Sequence, residues 1–458
     1  MSRCDPGAAP SAGELIARYD AHAPRYTSYP TAAQFTPAVG AETWAGWLAA
    51  APDEPASLYV HIPFCKRLCW YCGCNTRAMN RAESISAYVD LVLKEAALTA
   101  RAAGRRIRIG RLHLGGGTPN MLSPDDLARL MAGLSKVFDL SGLGEFAAEL
   151  DPEVLTDEWI AAAGALGLTR ASLGVQDLSP VVQAAVNRPE SFDSIAHSAA
   201  MLRACGVTSL NLDLMYGLPL QGVEEVLATL EQVATLRPDR IALFGYAHVP
   251  WMKPHQKLIH DEDLPGADLR FAQSEAARRF LIAHGWQAIG IDHFALRADS
   301  LAAAARSGEL RRNFQGYTDD AAPLLIGLGA SAISRSPQGY AQNLTVERDW
   351  RAAVGEGRLS VTRGVEIMPR DAFIAELIER LMCDFAVDVT AVAARHRQGL
   401  CAASRVRAAL DAFVADRLVR IDDGTVRITE AGRPFVRAVC AAFDPLVQAS
   451  ARHHARVV

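Results

Sequence analysis

Between residues 57 and 248, short apolar or alternating runs recur, and each is trailed by a segment with helical spacing. The runs "SLYVHIP" (57–63), "RLHLGGG" (111–117), "FAAELDP" (146–152), "RASLGVQ" (170–176), "SLNLDLMYG" (209–217) and "RIALFGYAH" (240–248) predict six strands. Helical stretches lie between them, including Ser84 to Ala103, Ser123 to Phe138, Thr156 to Leu166 and Val223 to Leu236. Ser123, followed by Pro124 and two aspartates, marks a helix start, because a capping oxygen and early carboxylates satisfy free N–H groups. The rhythm is that of βα units around a parallel sheet, and right-handed crossovers would wind six of them into a barrel or most of one.

From about residue 360 the pattern turns helical and ends in "VADRLVRIDDGTVRITEAGRPFVRAVC", which reads as helix, two short strands about an Asp-Asp-Gly turn, then helix. The expected plan is an N-terminal extension covering the active site (1–54), a barrel with its extension (55–355), and a mostly helical, winged-helix-like C-terminal domain (356–458). The winged outline carries no basic cluster, and the formal charge of −4 argues against a nucleic-acid partner, whose phosphates call for excess Lys and Arg. The start, "MSRCDPGAAPSAG", lacks the charged head and apolar core of a signal peptide, and no run of about 18 apolar residues follows. A cytoplasmic protein without a membrane span is expected.

Chemistry enters at the strand ends, where parallel βα folds place their active sites. There lie a cysteine loop after the first strand, Gly115 to Thr118 after the second, Glu149 and Asp151 at the third, Gln176 at the fourth, Asp213 at the fifth, and Ala247 and His248 at the sixth. The loop, "HIPFCKRLCWYCGCN" (61–75), gathers four of the nine cysteines. In a reducing compartment, clustered thiols bind metal or do chemistry more often than they form disulfides. Structural zinc usually takes two separate Cys pairs, and no second pair occurs here. An iron-sulfur cluster commonly takes four thiolates. However, Cys72 and Cys74 are one residue apart and would strain to reach two corners of one cubane. A loop using only Cys65, Cys69 and Cys72 would leave one iron open for a ligand.

Cys-x3-Cys-x2-Cys after the first strand of a six-unit βα domain resembles the radical S-adenosylmethionine (SAM) enzymes. Tyr71, the aromatic residue before the third cysteine, and "GGGTP" (115–119) fit the same pattern. Within that superfamily the chain is similar over nearly its whole length to the oxygen-independent coproporphyrinogen III oxidases. The similarity runs through "PRYTSYPTA" (24–32), "YVHIPFC" (59–65), "CGC" (72–74), "HLGGGTP" (113–119), "ELDPE" (149–153), "GVQD" (174–177), "NLDLMYGLP" (211–219), "YAHVP" (246–250), "RNFQGYT" (312–318) and "YAQN" (340–343).

The resemblance implies that Cys65, Cys69 and Cys72 ligate a [4Fe-4S] cluster, with Tyr59, Gly116 and Glu149 at the SAM on the open iron. It further implies a second SAM, contacted by Tyr71, Gly117, Thr118, Gln176, Arg188, Asp213, Ala247 and Ile333, with Arg188 offering a cationic fork to a carboxylate. The implied substrate is coproporphyrinogen III, whose four propionates need local positive charge; Arg25, Arg311 and Arg312 are the candidate clamps. An unidentified electron donor and acceptor and a monomeric state complete the expectation. A haem-binding chaperone of the same superfamily is the alternative. Cys74 and "PRYTSYPTA" favour the oxidase.

Overall fold

The structure, a computed structural model, describes residues 10–447 and 456–457. Residues 1–9, within the expected N-terminal extension, and 448–455 and 458, within the expected C-terminal domain, lie outside the described residues, as does most of "MSRCDPGAAPSAG". Six parallel strands form the centre: β1 (Ala56–Ile62), β2 (Ile109–Gly116), β3 (Glu145–Leu150), β4 (Arg170–Gln176), β5 (Ser209–Tyr216) and β6 (Arg240–Gly245). They are adjacent in chain order, as the βα rhythm requires. Val60, Ile62, Leu112, Leu114, Phe146, Leu173, Leu212 and Ile241 are buried among them. The apolar positions fill the core, and the alternating polar ones, among them His113, Ser172, Asn211 and Asp213, line a cavity on the other face, which explains the alternation within the runs.

The helix Ala82–Ala103 shows why the intervening segments are helical. Ile85, Tyr88, Val89, Val92 and Ala96 fall on one buried stripe, and Gly104 closes the helix in the left-handed conformation at φ +67°. Each fully buried aliphatic side chain of that stripe contributes about 1.5–3 kcal/mol. Ser123 caps the helix Pro124–Val137 through a bond from Asp126 N–H at 3.1 Å, as the sequence predicted.

The sheet continues beyond the six strands. β7 (Trp286–Ile289) and β8 (His293–Leu296) extend one edge as an antiparallel pair, with β8 on β6. On the other edge β9 (Leu325–Leu328) runs parallel to β1, followed by antiparallel β10 (Ile333–Ser336), β11 (Gly339–Asn343) and β12 (Val361–Glu366). The order β12-β11-β10-β9-β1-β2-β3-β4-β5-β6-β8-β7 is open, because among the described residues β7 and β12 do not pair. The sheet is therefore open rather than a closed ring.

Two boundaries differ from the sequence reading. β6 ends at Gly245 rather than His248, where the chain leaves the sheet. β12 still belongs to the main sheet, so the helical C-terminal body begins at Pro369, not at residue 356. That body includes β13 (Ala386–Asp388), β14 (Val419–Asp422) and β15 (Thr425–Ile428), a small sheet in the order β13-β15-β14. Asp423 and Gly424, at φ +47° and +85°, make the tight turn foreseen between β14 and β15. The N-terminal extension divides. Leu15, Ile16, Ala23, Tyr26 and Tyr29 pack in the core of the C-terminal body, whereas Val39, Trp44, Trp47 and Leu48 join the core of the sheet.

Candidate active site

β1 hands the chain to the cysteine loop, and β2 ends in the glycine run beside it. Gly117 N–H donates to Ile62 O and Thr118 N–H to Phe64 O, both at 2.8 Å, so the two loops are laced together. A Cβ added at Gly115 would lie 2.8 Å from the Glu149 carboxylate, at Gly116 2.3 Å from the His61 ring, and at Gly117 2.7 Å from Phe64 O. Gly116 also sits at φ +108°. Closeness to a held ring and to backbone oxygens excludes a side chain at Gly116 and Gly117, backbone conformation excludes it again at Gly116, and at Gly115 a Cβ would displace the Glu149 carboxylate.

Glu149 receives the Gly116 N–H at 2.9 Å, and His113 Nε2 lies 3.1 Å from its other oxygen. Burial works to raise the Glu149 pKa, but these partners hold it below the usual carboxylate range, so the group is an acceptor at neutral pH. His61 Nε2 lies 2.9 Å from Asn75 O, an acceptor, and must carry the proton; Nδ1 then accepts from Tyr59 Oη at 3.0 Å. Burial pushes the His61 pKa down and keeps this neutral form. The Tyr59 ring stacks on His113 at 5.8 Å between centroids.

Eight cysteines of the described residues are free thiols, among them all four of the loop. Each proposed ligand has a donor at its sulfur. Cys65 Sγ accepts from Thr118 Oγ1 at 3.4 Å and lies 3.0 Å from Thr76 Oγ1. Cys69 faces Arg188 Nη1 at 3.7 Å, and Cys72 receives the Cys74 N–H at 3.4 Å. Burial raises the pKa of Cys65 and Cys69 against these donors. Cys72 is instead lowered to about 7, first by a hydrogen bond from the Cys74 thiol. Cys74 is exposed, and its thiol donates to its neighbour Cys72. Among the described residues no three His, Cys, Asp or Glu side chains converge on a position for a single metal ion.

The loop is clasped from outside by a segment that the sequence reading passed over. Lys253 Nζ donates to Cys74 O at 3.0 Å, His255 Nε2 lies 2.7 Å from Cys72 O, and Gln256 Nε2 donates to both Tyr71 O (2.9 Å) and Ala247 O (3.2 Å). All of these grip backbone carbonyls.

The other candidates spread along the strand ends. Gln176 closes β4 at φ +67°. Asp213, on β5, accepts from Ser172 Oγ at 2.6 Å and Asn211 Nδ2 at 2.7 Å, and burial raises its pKa. It shares a cavity of about 130 Å³ with Glu149 and His113. Ile333 crosses Gly327, which pairs with Tyr59 across β1. The Arg188 fork, which the resemblance assigns to a carboxylate of SAM, holds Asp151 at 2.9 and 3.1 Å; its Nε is buried without a hydrogen-bond partner among the described residues.

The three clamp candidates separate. Arg25 lines a cavity of about 690 Å³ and donates to Gly245 O at 2.8 Å. Arg311 pairs with Glu379 of the C-terminal body at 3.1 Å. Arg312, its side chain 4% exposed, lies over the Tyr317 ring at 4.2 Å and 3.7 Å from Asp292. Neither Arg311 nor Arg312 lines that cavity.

Comparison with known proteins bears on the whole chain. Residues 59–233 match the radical SAM superfamily, and residues 368–435 match the HemN C-terminal domain. The oxygen-independent coproporphyrinogen III oxidase of Paracoccus denitrificans is 43% identical over 97% of this chain and 98% of its own. That of Escherichia coli K12 is 37% identical over 96% of each. The solved structure described as coproporphyrinogen III oxidase (HemN) from Escherichia coli, a radical SAM enzyme, superposes with a TM-score of 0.88 at 34% identity, covering 96% of this chain and 99% of that one. The chain belongs to the oxygen-independent coproporphyrinogen III oxidase family of the radical SAM superfamily.

Proposed function

We propose that this protein oxidatively decarboxylates two propionates of coproporphyrinogen III to vinyl groups, giving protoporphyrinogen IX for haem biosynthesis without oxygen. Each propionate loses one β-hydrogen atom, carbon dioxide and one electron, so the reaction needs an external one-electron acceptor as well as a donor. The observation that carries the reading is the three-sulfur loop held against Gly115–Gly117 and Glu149, in a chain that matches oxidases end to end.

The residues fit the cofactors. Three cysteines with donors at their sulfurs suit a [4Fe-4S] cluster with one open iron, and the glycine run lets the cysteine loop, His61 and Glu149 close up beside it where a Cβ would intrude. When bound, the cluster and SAM supply reductive cleavage of the sulfonium and a carbon radical that takes a hydrogen atom. In this reading Cys65, Cys69 and Cys72 hold the cluster. Glu149, fixed by His113 and Gly116 N–H, accepts hydroxyls of a SAM flanked by Tyr59. Tyr71, Gly117, Thr118, Gln176, Arg188, Asp213, Ala247 and Ile333 serve a second SAM. Thr118 also donates to the Cys65 sulfur, and the unpartnered Arg188 Nε is the donor left for a ligand beyond Asp151. The protein works as a monomer.

Relatives matched over nearly their full length carry the oxidase name, so the haem-binding chaperone alternative is set aside. Among the described residues no helix is long and apolar enough to cross a membrane. The test is anaerobic: reconstituted protein with reductant, SAM and coproporphyrinogen III should release carbon dioxide and protoporphyrinogen IX. A cluster-replete sample that forms no product and binds haem tightly instead would refute the reading.

A further inference from the structure

The cavity of about 690 Å³ begins at Ala247, whose carbonyl shares the Gln256 amide with Tyr71 of the cysteine loop. It runs from the end of β6 to the C-terminal body, and its volume lies in the range of small-molecule sites. Phe271, Ile291 and Phe294 supply apolar wall. Opposite, two guanidinium groups meet at Gly245. Arg25 Nη2 donates to its carbonyl at 2.8 Å, and a Cβ added at Gly245 would lie 3.4 Å from Arg270 Nη2 and 2.9 Å from the Tyr216 hydroxyl.

More positive charge stands behind them. Arg312 Nη2 donates to Arg25 O at 3.3 Å, while its Nε and Nη1 are buried without hydrogen-bond partners among the described residues. Arg437 also borders the cavity. Burial first, and then neighbouring guanidiniums, push Arg25 and Arg437 below the ordinary arginine range, with Arg312 acting on both and Asp292 opposing at Arg25. Other carboxylates on the wall are matched locally: Asp20 to Arg456, Asp261 to His248, and Glu430 to Arg278 and Arg433. Glu275 is the remaining one. A cluster of like charges, part buried and part facing the cavity, set against an apolar wall is complementary to an amphipathic anion.

We infer that this cavity receives the substrate macrocycle, Arg25 and Arg270 gripping a propionate on either side of Gly245 while Phe271, Ile291 and Phe294 face the pyrrole edge. The inference rests on the proposed function and adds to it the place and the residues of carboxylate recognition. It replaces Arg311 and Arg312 as direct clamps: Arg311 faces Glu379, and Arg312 backs Arg25 from beneath.

The test is equilibrium binding of coproporphyrin III, the stable oxidised tetracarboxylate, to cluster-loaded protein, with its tetramethyl ester as the uncharged counterpart. Arg25→Gln and Arg270→Gln should each weaken coproporphyrin III by at least about tenfold and leave the ester unchanged, with cluster absorbance retained. Arg311→Gln should bind both as wild type does. Wild-type affinity for coproporphyrin III in both cavity variants, or an equal loss in Arg311→Gln, would overturn the inference. Should either glutamine variant lose its circular dichroism, Arg25→Lys and Arg270→Lys decide. They keep the charge without the planar fork, so reduced, salt-sensitive affinity supports the assignment and unchanged affinity at every salt concentration overturns it. Wild-type protein that binds coproporphyrin III but converts no coproporphyrinogen III would count against the proposed function alone.

Discussion

At the scale of single residues, the firmest constraints are steric and electrostatic. The His61 ring cannot retreat from a side chain at position 116, because both of its nitrogens are engaged. Gly116→Ala adds about 1–2 kcal/mol for the left-handed backbone to the 2.3 Å collision. The variant should load markedly less iron on reconstitution, read from iron content and cluster absorbance; wild-type loading would show that the run is not needed in this shape. Asp292 makes a pH-dependent prediction. Burial works to raise its pKa, but Arg312, His293 and Arg25 hold it down at about 2, against an ordinary 3.8. A depressed carboxylate stabilises above its unfolded pKa, and that stability, on the order of 2 kcal/mol, is lost as pH falls through the folded value. Asp292→Asn, which also strands buried cations, should cost on the order of 3 kcal/mol at neutral pH. The gap between the two proteins should be full above about pH 4 and close toward pH 2. Urea midpoints across that range check it, and a gap that widens on acidification contradicts the assignment.

At the scale of elements, the helix Ala82–Ala103 braces the site from behind. Glu95 is buried and accepts from Gly329 N at 2.6 Å, Ser360 Oγ at 2.7 Å, and Asn343 Nδ2 and Trp350 Nε1 at 3.0 Å. Tyr88, two turns earlier, donates to His61 O at 2.9 Å and accepts from Ala330 N at 3.0 Å. One helix thus ties β1 to the turn after β9. Glu95→Ala leaves three donors unpaired, Gly329 N, Ser360 Oγ and Trp350 Nε1, while Asn343 Nδ2 keeps Gly329 O at 2.8 Å; the cost is about 1–3 kcal/mol for the first and less for those that reach water. We expect the urea midpoint of the cluster-free protein to fall by the equivalent of about 3 kcal/mol or more, and a shift below 1 kcal/mol would deny the brace. This brace also shows what the sequence could not say. The six parallel strands were legible because short apolar or alternating runs recur before helical segments, and the cysteine and glycine motifs were legible because thiols and missing side chains are themselves the signal. β9 is only four residues long, β10 to β12 are short and only partly apolar, and they acquire meaning by pairing in turn outward from β1. The clasp of Lys253, His255 and Gln256 was invisible because its targets are carbonyls, which every residue has.

At the scale of the whole molecule, the N-terminal segment and the C-terminal body form one closure over the substrate cavity. Sequence order hides this, since the two lie at opposite ends of the chain. Asp444 accepts from Tyr26 Oη at 3.0 Å and Tyr29 Oη at 2.9 Å, while Arg437 donates to Ala23 O and to Pro24 O, the latter at 3.0 Å. Arg25 lies between these anchors and reaches Gly245, so the strap that closes the cavity also carries one of its cations. Burial raises the pKa of both tyrosines, which therefore remain hydrogen-bond donors at any ordinary pH. Charge-assisted bonds of this kind contribute about 1.5–3 kcal/mol each, and removing their shared acceptor leaves two buried hydroxyls without it. Asp444→Ala should therefore free the strap while the sheet, whose core is separate, stays folded. Trypsin should cut after Arg25 at least about tenfold faster than in wild type, because a local opening that costs 1.4 kcal/mol less is tenfold more populated. Coproporphyrin III affinity should fall in parallel, since Arg25 leaves with the strap. Faster cutting with unchanged affinity would separate the strap from recognition, and unchanged cutting would show that Asp444 does not hold it.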